Sequence, residues 1–405
     1  MRFAVLPLIL WATLPVLAAK PVKIAQLEQE VAAARSKNDG DAAHRISRLT
    51  LSEPLNHEQF QRLKAELPGE QSRAALTAVA DMAAFLPAGR DEVLHDPAPG
   101  VEDQRRILKA GVAYLTGVVP KLPNFQAEKH TMRFEEQPDG DTPPGPMMWA
   151  GRLNEQVSYE DGKEVLKPVD TADAGQKQEA ILRAEAGLHT WGEFGGILTL
   201  VLNDALRNAI AWREWEKGSA GRVAVFAFAV PTKASHYTVD YCCVHDAGGQ
   251  MRRFQTLAGY AGELALDPET GTILRLRIRA EFGSNDPVKS SELLVEYGAV
   301  DIGGKTFNCP LRSVALFRVR PETARDLNMM PGVRQHLVIG GATDTFLVGD
   351  KTMINDAEFT GYHQFRGEMR IVTETPLGPD GKPAPAAARS EGEGRPAEEK
   401  PEPRD

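Results

Sequence analysis

The segment Gly262–Phe282, GELALDPETGTILRLRIRAEF, decides how the central part of this chain folds. Two runs with alternating apolar residues flank the sequence DPETG. In this sequence Pro268 occupies the second position of a turn and Gly271 closes it. Alternation with a period of two on both sides of a turn predicts an antiparallel β-hairpin.

The second strand of this hairpin has two different faces, because successive side chains of a strand point to opposite sides of the sheet. The spacing predicts an apolar face of Leu274, Leu276, Ile278 and Ala280, and a charged face of Arg275, Arg277 and Arg279.

Similar hairpins precede and follow this one, with turns at Asp161-Gly162, 218–221, Gly248-Gly249 and Gly303-Gly304. Consecutive hairpins without intervening helices predict a large antiparallel β-meander over residues 123–375. A single helix, at about residues 193–207, interrupts the strands.

Residues 20–122 have helical periodicity instead. Asn56 and Gln59 are spaced as a capping box at the start of one predicted helix. The chain is therefore predicted to be an α+β protein, with an N-terminal helical region followed by the β region.

The two ends of the chain have other compositions. Residues 1–19 combine Arg2, an apolar run and small residues, as in a secretory signal cleaved near Ala18 or Ala19, with an uncleaved membrane anchor as the alternative. We expect the mature protein to be exported and soluble, in the periplasm or outside the cell. Residues 376–405 are rich in proline, glycine and charge, which predicts a disordered tail or a solvated tether.

The overall charge excludes one class of partner. The chain has 405 residues and a formal net charge of −9, and nucleic-acid binding requires a basic face. We expect no nucleic-acid partner.

Several stretches together resemble an uncharacterised family of secreted proteins common in acidobacteria. They are KLPNF, TMRFEE, WGEFGGIL, VAVFAFAVPTKASHY, GELALDPETGTILRL, VEYGAVDIGGKTFNCPLRSV and YHQFRGEMRI. The resemblance covers roughly Ala25 to Val372 and brings no known activity with it.

The predicted architecture is also similar to that of the periplasmic lipoprotein-carrier and lipoprotein-sorting superfamily. This likeness rests on the hairpins and on a closing strand with Phe359, Tyr362 and Phe365. It implies a curled sheet, an incomplete barrel around one helix, with an apolar cavity for acyl chains. The carriers of that superfamily are about half as long, and none of their ligand residues can be matched here, so the likeness concerns the fold alone.

Two sets of residues are candidates for binding a ligand. The strand RVAVFAFAV is apolar on both faces, so it is covered on both sides by packed helices or, on one side, by a cavity. Residues that would line such a cavity are Phe226, Phe228, Leu274, Leu276 and Ile278. The arginines Arg275, Arg277 and Arg279 either pair with Glu263, Glu292 or Glu296 across the sheet, or recognise an anionic group.

Catalytic chemistry is not indicated. The sequence contains no metalloprotease, serine-hydrolase, phosphate-loop or dinucleotide fingerprint, so we predict no catalytic residue, metal or cofactor. Cys243 and His245 share a face of their predicted strand, but they lack two further zinc ligands nearby. Trp212 and Trp215, three positions apart on a strand, are predicted to face opposite sides.

The three cysteines pose a separate question. In an oxidising compartment a disulfide is expected, with Cys243–Cys309 favoured, Cys242–Cys309 as the alternative, and buried free thiols as the third possibility. A plain meander places the two strands too far apart for a bridge.

Three functions follow from these predictions. The first is an exported, non-enzymatic envelope protein that binds a lipid-like ligand or a lipoprotein segment in the curled sheet. The second is a module that interacts with another envelope protein or senses its state, without a small ligand. The third is an enzyme of unidentified type.

Overall fold

A computed structural model describes residues 21–137, 145–168, 187–190, 192–219, 221–245, 251–319, 334–339, 342–347 and 350–365. All of these residues belong to one compact unit. The predicted signal peptide (1–19) and the predicted tail (376–405) lie outside the described residues.

The helices of the described residues are α1 (Ile24–Ala34), α2 (Asp39–Ser47), α3 (His57–Glu66), α4 (Glu70–Ala83), α5 (Val101–Val118) and α6 (Gly196–Arg207). The first strands are β1 (Val93–Leu94), β2 (Phe125–Glu136), β3 (Met147–Glu160), β4 (Lys163–Pro168), β5 (Gly187–His189), β6 (Ala209–Gly218), β7 (Gly221–Val230) and β8 (Thr238–His245). The remaining strands are β9 (Met251–Leu257), β10 (Gly259–Leu266), β11 (Ile273–Glu281), β12 (Val288–Ile302), β13 (Lys305–Val319), β14 (Arg334–Ile339), β15 (Ala342–Leu347) and β16 (Lys351–Gln364).

An antiparallel sheet of eleven strands dominates the fold. Its strand order is β1-β6-β7-β10-β11-β12-β13-β16-β2-β3-β4, and the sheet is not closed into a barrel. The predicted α+β class, with N-terminal helices followed by a large antiparallel meander and one packed helix, is confirmed.

The sheet differs from a plain meander in three ways. The hairpin β8–β9 leaves the main sheet and pairs with β5, and β14–β15 form a separate pair. The last strand, β16, pairs with β2, so the last strand of the β region is hydrogen-bonded to its first strand. This pairing joins residues more than 200 positions apart, such as Ile354 and Phe134.

Two helical layers cover opposite faces of the sheet. On the face that we call the α4 face, Ala74 and Ala78 of α4 pack against Leu294, Val314 and Ile354. On the opposite face, the α6 face, residues of α5 and α6 join the largest hydrophobic core together with apolar side chains of β7, β10, β11 and β12. The N-terminal helical region is therefore divided, with α5 on the other side of the sheet from α4.

Local sequence signals explain where several helices begin. The side chain of Asn56 accepts a hydrogen bond from Gln59 N, and the Gln59 side chain accepts one from Asn56 N, which is the predicted capping box. Asn38 caps α2 in a similar way by accepting from Asp41 N.

Two β-bulges change which side chains share a face. The register of β6 with β7 shifts between Trp212 and Glu214, so Trp212 and Trp215 lie on the same face with ring centroids 4.7 Å apart. The prediction of opposite faces was wrong because an extra residue in a strand reverses the alternation.

The second bulge lies in the hairpin β10–β11. Its register shifts where Leu266 pairs with Ile273, so Leu274 leaves the apolar row of Leu276. Leu274 packs instead against a small cluster of Val223, Val225 and Ala265. The predicted common face of Leu274, Leu276 and Ile278 is therefore wrong for Leu274.

Candidate functional site

A cleft of about 220 Å³ lies between the α4 face of the sheet and the helices that cover it. We call it the arginine cleft, because three guanidinium groups line it. Its lining residues are Pro54, Leu55, Asn56, His57, Phe60, Ala80, Ala84, Ala88, Glu92, Glu216, Arg275, Arg277, Leu294, Glu296 and Arg312.

The structure separates the three predicted arginines. Arg275 and Arg277 line the cleft, whereas Arg279 does not. The Arg279 side chain is 67% exposed, and its Nε donates to Glu292 at 2.7 Å. Arg279 therefore matches the alternative of a solvated, cross-strand pair.

Arg275 is held by one carboxylate. Its Nη2 donates to both oxygens of Glu216, each at 2.9 Å, and the Glu216 side chain is only 7% exposed. The Nε of Arg275 is buried and has no acceptor in the described part of the chain. One edge of this guanidinium is thus neutralised, and another has an unused donor.

Arg277 uses a different part of its guanidinium. Its Nη1 donates to the carbonyl of Leu86 at 3.3 Å and to Glu263 at 3.4 Å. Its buried Nε also lacks an acceptor among the described residues. Burial, and then the neighbouring charge of Arg275, lowers the pKa of Arg277 from its ordinary value.

Arg312, which the sequence analysis missed, is the third guanidinium. It donates through Nη2 to Asp81 of α4 and through Nε to Asp356 of β16 at 2.8 Å, and its Nη1 lies 3.7 Å from Glu296. Although burial opposes it, the charge of Asp81 and then of Asp356 raises the pKa of Arg312. Burial and the charge of Asp356 raise the pKa of Asp81 well above its ordinary value.

No motif around Arg312 marks it as a partner of the arginines on β11. It becomes their neighbour because Glu296 of β12 stands opposite both Arg275 and Arg312 in the register of the sheet. Only the order and register of three strands could have revealed this.

The chemistry of the cleft is mixed. The carboxylates Glu92, Glu216 and Glu296 match the three guanidinium groups in number, so the lining is not a simple cationic patch. Leu55, Phe60 and Leu294 add apolar surface. The arrangement suits a small polar ligand with a short apolar part.

The predicted cavity residues lie elsewhere. Phe226, Phe228, Leu276 and Ile278 are buried in the core on the α6 face, at most 4% exposed. Leu274 belongs to the separate cluster at the bulge. None of the five lines the arginine cleft.

A second polar cluster, also missed, lies on the α6 face. Lys129 Nζ is 3.2 Å from Glu193 Oε1 and 3.4 Å from Thr190 Oγ1, and the side chains of Lys129 and Glu193 are 5% and 0% exposed. Lys129 occupies an inward position in the alternation Phe125, Ala127, Lys129. This alternation could have identified Lys129 as a buried lysine from the sequence. A small cavity of about 40 Å³ beside Lys129 has room for about one or two water molecules.

Glu164 lies close to this buried pair. Burial, followed by the charge of Glu193, raises the pKa of Glu164 to about 8, and Lys129 offsets part of the shift. The backbone N–H groups of Gly192 and Phe194 also favour the carboxylate, although neither meets hydrogen-bond geometry. Its surroundings therefore favour the protonated form of Glu164 over the carboxylate.

The histidine beside the cysteine strand has a structural partner. Asp204 of α6 accepts from His236 N at 3.0 Å and from Tyr260 Oη at 3.0 Å, and its Oδ1 lies 2.7 Å from His236 Nδ1. These contacts join α6 to the chain that enters β8.

The cysteines differ from both predicted pairings. Cys309 is a buried free thiol, and burial raises its pKa to about 12. Cys242 is in a disulfide. Neither Cys243–Cys309 nor Cys242–Cys309 is formed, because β8 leaves the sheet that contains β13. The side chains of Cys243 and His245, considered as a zinc pair, lie outside the described part.

Two kinds of feature are absent from the described residues. No group of three or more histidine, cysteine, aspartate or glutamate side chains is arranged to hold a metal ion there. Within the same residues, no helix is long and apolar enough to cross a membrane.

Comparison with protein-family models, with curated proteins and with solved structures gives no match to this chain. Both the resemblance to the acidobacterial secreted family and the likeness to the lipoprotein carriers therefore stay predictions from the sequence.

Proposed function

We propose that this protein is an exported, non-enzymatic binding protein that takes up a small ligand with an anionic group in the arginine cleft. The main support is a pair of unused donors. Arg275 and Arg277 both line the cleft, and the Nε–H group of each is buried and has no acceptor among the described residues.

An unused donor of this kind is unfavourable. A buried hydrogen-bonding group without a partner costs about 1–3 kcal/mol, and more if it is charged. Buried polar groups are nearly always paired in native proteins, so such a group indicates that an acceptor belongs nearby. A carboxylate or phosphate oxygen of a ligand is the acceptor that a guanidinium prefers.

The size and lining of the cleft limit the ligand. Ligand pockets commonly measure about 300–1,000 Å³, so a cleft of about 220 Å³ accommodates a small molecule. The side chains of Leu55, Phe60 and Leu294 favour a short apolar portion next to the charged group.

The lipid-like ligand predicted from the sequence has weaker support. It was assigned to a cavity lined by Phe226 and Phe228, which instead pack within the main core. A lipoprotein segment or another envelope protein as partner stays an alternative that the experiment below distinguishes.

Export is part of the proposal. It rests on the signal-like residues 1–19 and on the disulfide at Cys242, since disulfides form and persist in oxidising compartments.

Native mass spectrometry of the protein isolated from its own organism tests the proposal. Arg277→Gln removes the charge and the unused donor edge in the cleft. Arg279→Gln is the matched control, because Arg279 lies two positions along the same strand but outside the cleft.

We expect a small molecule to accompany the wild-type chain and Arg279→Gln, and to be lost from Arg277→Gln. Three results contradict the proposal. They are a lipid retained equally by all three proteins, a protein partner without a small molecule, and no bound species at all.

A further inference from the structure

The charges around the arginine cleft identify the class of its ligand more closely. Behind the lining, Arg277 is paired with Glu263, and Arg312 with Asp81 and Asp356. Since Glu263 also pairs with Arg213, four guanidinium groups stand against five carboxylates, the buried Asp81 being left aside. The five carboxylates are Glu92, Glu216, Glu263, Glu296 and Asp356.

A simple anion such as phosphate is therefore poorly matched to the site. Phosphate would accept hydrogen bonds from the unused N–H groups of the arginines, but it would also approach an excess of negative charge. Like charges in a partly buried site disfavour one another strongly, because screening by water is weak there.

A carboxylate on the ligand would meet Arg277. All the hydrogen bonds of this guanidinium in the described structure involve Nη1, so its Nε and Nη2 remain for an incoming acceptor. The Arg277 side chain is 13% exposed, so a bond formed there is shielded from water.

A cationic group on the ligand would meet Glu296. This side chain is 46% exposed, and its one ion pair in the described structure is the long contact of 3.7 Å with Arg312. Glu92 also lines the cleft, with Oε1 accepting from Asn56 Nδ2 at 3.1 Å. Both carboxylates retain oxygens that can accept from an ammonium group.

We propose that the ligand of the arginine cleft is dipolar, with a carboxylate that binds Arg277 and an ammonium group that binds Glu296, as in a free amino acid or a short peptide. This inference rests on the proposed function and specifies its ligand class. Alternating cationic and anionic side chains across β11, β12 and β13 can satisfy both ends of such a molecule.

Thermal-shift screening followed by titration calorimetry on the full mature chain tests the inference. The probes are the twenty standard L-amino acids, a set of dipeptides and sodium phosphate. The best binder is then compared with its N-acetyl derivative, which lacks the ammonium group, and its carboxamide, which lacks the carboxylate. Arg277→Gln and Glu296→Gln are tested against the control Arg279→Gln.

We expect each derivative to bind the wild-type chain at least tenfold more weakly than the parent. The carboxamide should bind Arg277→Gln as tightly as it binds the wild type. The N-acetyl derivative should likewise bind Glu296→Gln as tightly as it binds the wild type. Because the derivatives are measured on the wild type, the inference stays testable if a variant fails to fold.

Two results would overturn the inference and leave the proposed function intact. One is binding of phosphate that depends on Arg277, and the other is an N-acetyl derivative that binds as tightly as its parent. If no probe binds and no small molecule accompanies the isolated protein, the proposed function fails, and this inference fails with it.

Discussion

The guanidinium of Arg312 donates to the carboxyl group of Asp81, which lies 231 positions earlier in the chain, and this contact joins α4 to the sheet. The Asp81 side chain is fully buried. Since Asp356 shares the same guanidinium, one cation stabilises two buried acids.

We predict that Arg312→Met lowers the free energy of unfolding by about 3–5 kcal/mol, because it leaves buried acids without their partner. Asp81→Asn should cost much less, about 1 kcal/mol or below, since an amide oxygen still accepts from Arg312. Urea denaturation followed by circular dichroism measures both. The exposed Arg279→Met is the control, with an expected change within about 0.5 kcal/mol. Equal losses for the Asp81 and Arg312 variants would contradict this account.

Glu164 makes stability depend on pH in a defined direction. Its folded-state pKa of about 8 lies above its ordinary value of 4.5. The unfolded chain therefore loses this proton first, and the folded state binds more protons between the two values. The stabilising contribution is complete below pH 4.5 and is lost as the pH rises through about 8.

The test is the urea midpoint measured from pH 5 to pH 9. We expect the wild type to lose stability as the pH rises, and Glu164→Gln to show a shallower decline. The pKa of Asp81 is also raised, and this contributes to the decline in both proteins. The difference between the wild-type and Glu164→Gln curves therefore gives the contribution of Glu164. Glu160→Gln, at an exposed position at the end of β3, should follow the wild-type curve. Parallel curves for Glu164→Gln and the wild type would disprove the assignment.

Gly271 permits α5 to approach the hairpin β10–β11. Its φ is +73°, and a Cβ atom there would lie 2.3 Å from the backbone carbon of Ala110. Gly271→Ala should therefore destabilise the protein by at least about 1–3 kcal/mol. Gly117→Ala is the matched control. Gly117 lies in α5 with open space around it, so alanine should be neutral or stabilising by up to about 1 kcal/mol. Melting temperatures that fall equally for both variants would contradict this explanation.

The structure predicts how many cysteine thiols react with an alkylating reagent before and after reduction. Cys309 is free and Cys242 is disulfide-bonded in a chain that has three cysteines. We expect one reactive thiol in denaturant without reductant, at Cys309, and three after reduction. In the native protein Cys309 should react slowly, because it is buried and its pKa is raised to about 12. Alkylation with peptide mapping measures this, and a count of three before reduction would refute it.

The candidate site was only partly predictable. The alternation of β11 identified Arg275 and Arg277 as residues of a charged face, and it placed Arg279 on the same face. It could not reveal that helices cover the first two and leave the third in water. That distinction depends on where α4 packs, and α4 is separated from β11 by almost 200 residues.

The bulges at Arg213 and Leu274 also limited the prediction, because they changed which side of the sheet the neighbouring side chains face. Alternation is a reliable guide only while each residue of a strand opposes one residue of its partner. A single extra residue moved Leu274 to another cluster and brought Trp212 beside Trp215.

By itself the sequence determined the hairpins, the helices, the capping box at Asn56 and the α+β class. These features depend on backbone sterics, turn residues and side-chain periodicity, which act over a few neighbouring residues. The tertiary structure alone decided that β16 pairs with β2, that β8 leaves the main sheet, and that Arg275, Arg277 and Arg312 share one cleft. Those outcomes depend on contacts between distant parts of the chain, where burial and charge pairing choose among strand orders that local preferences leave equal.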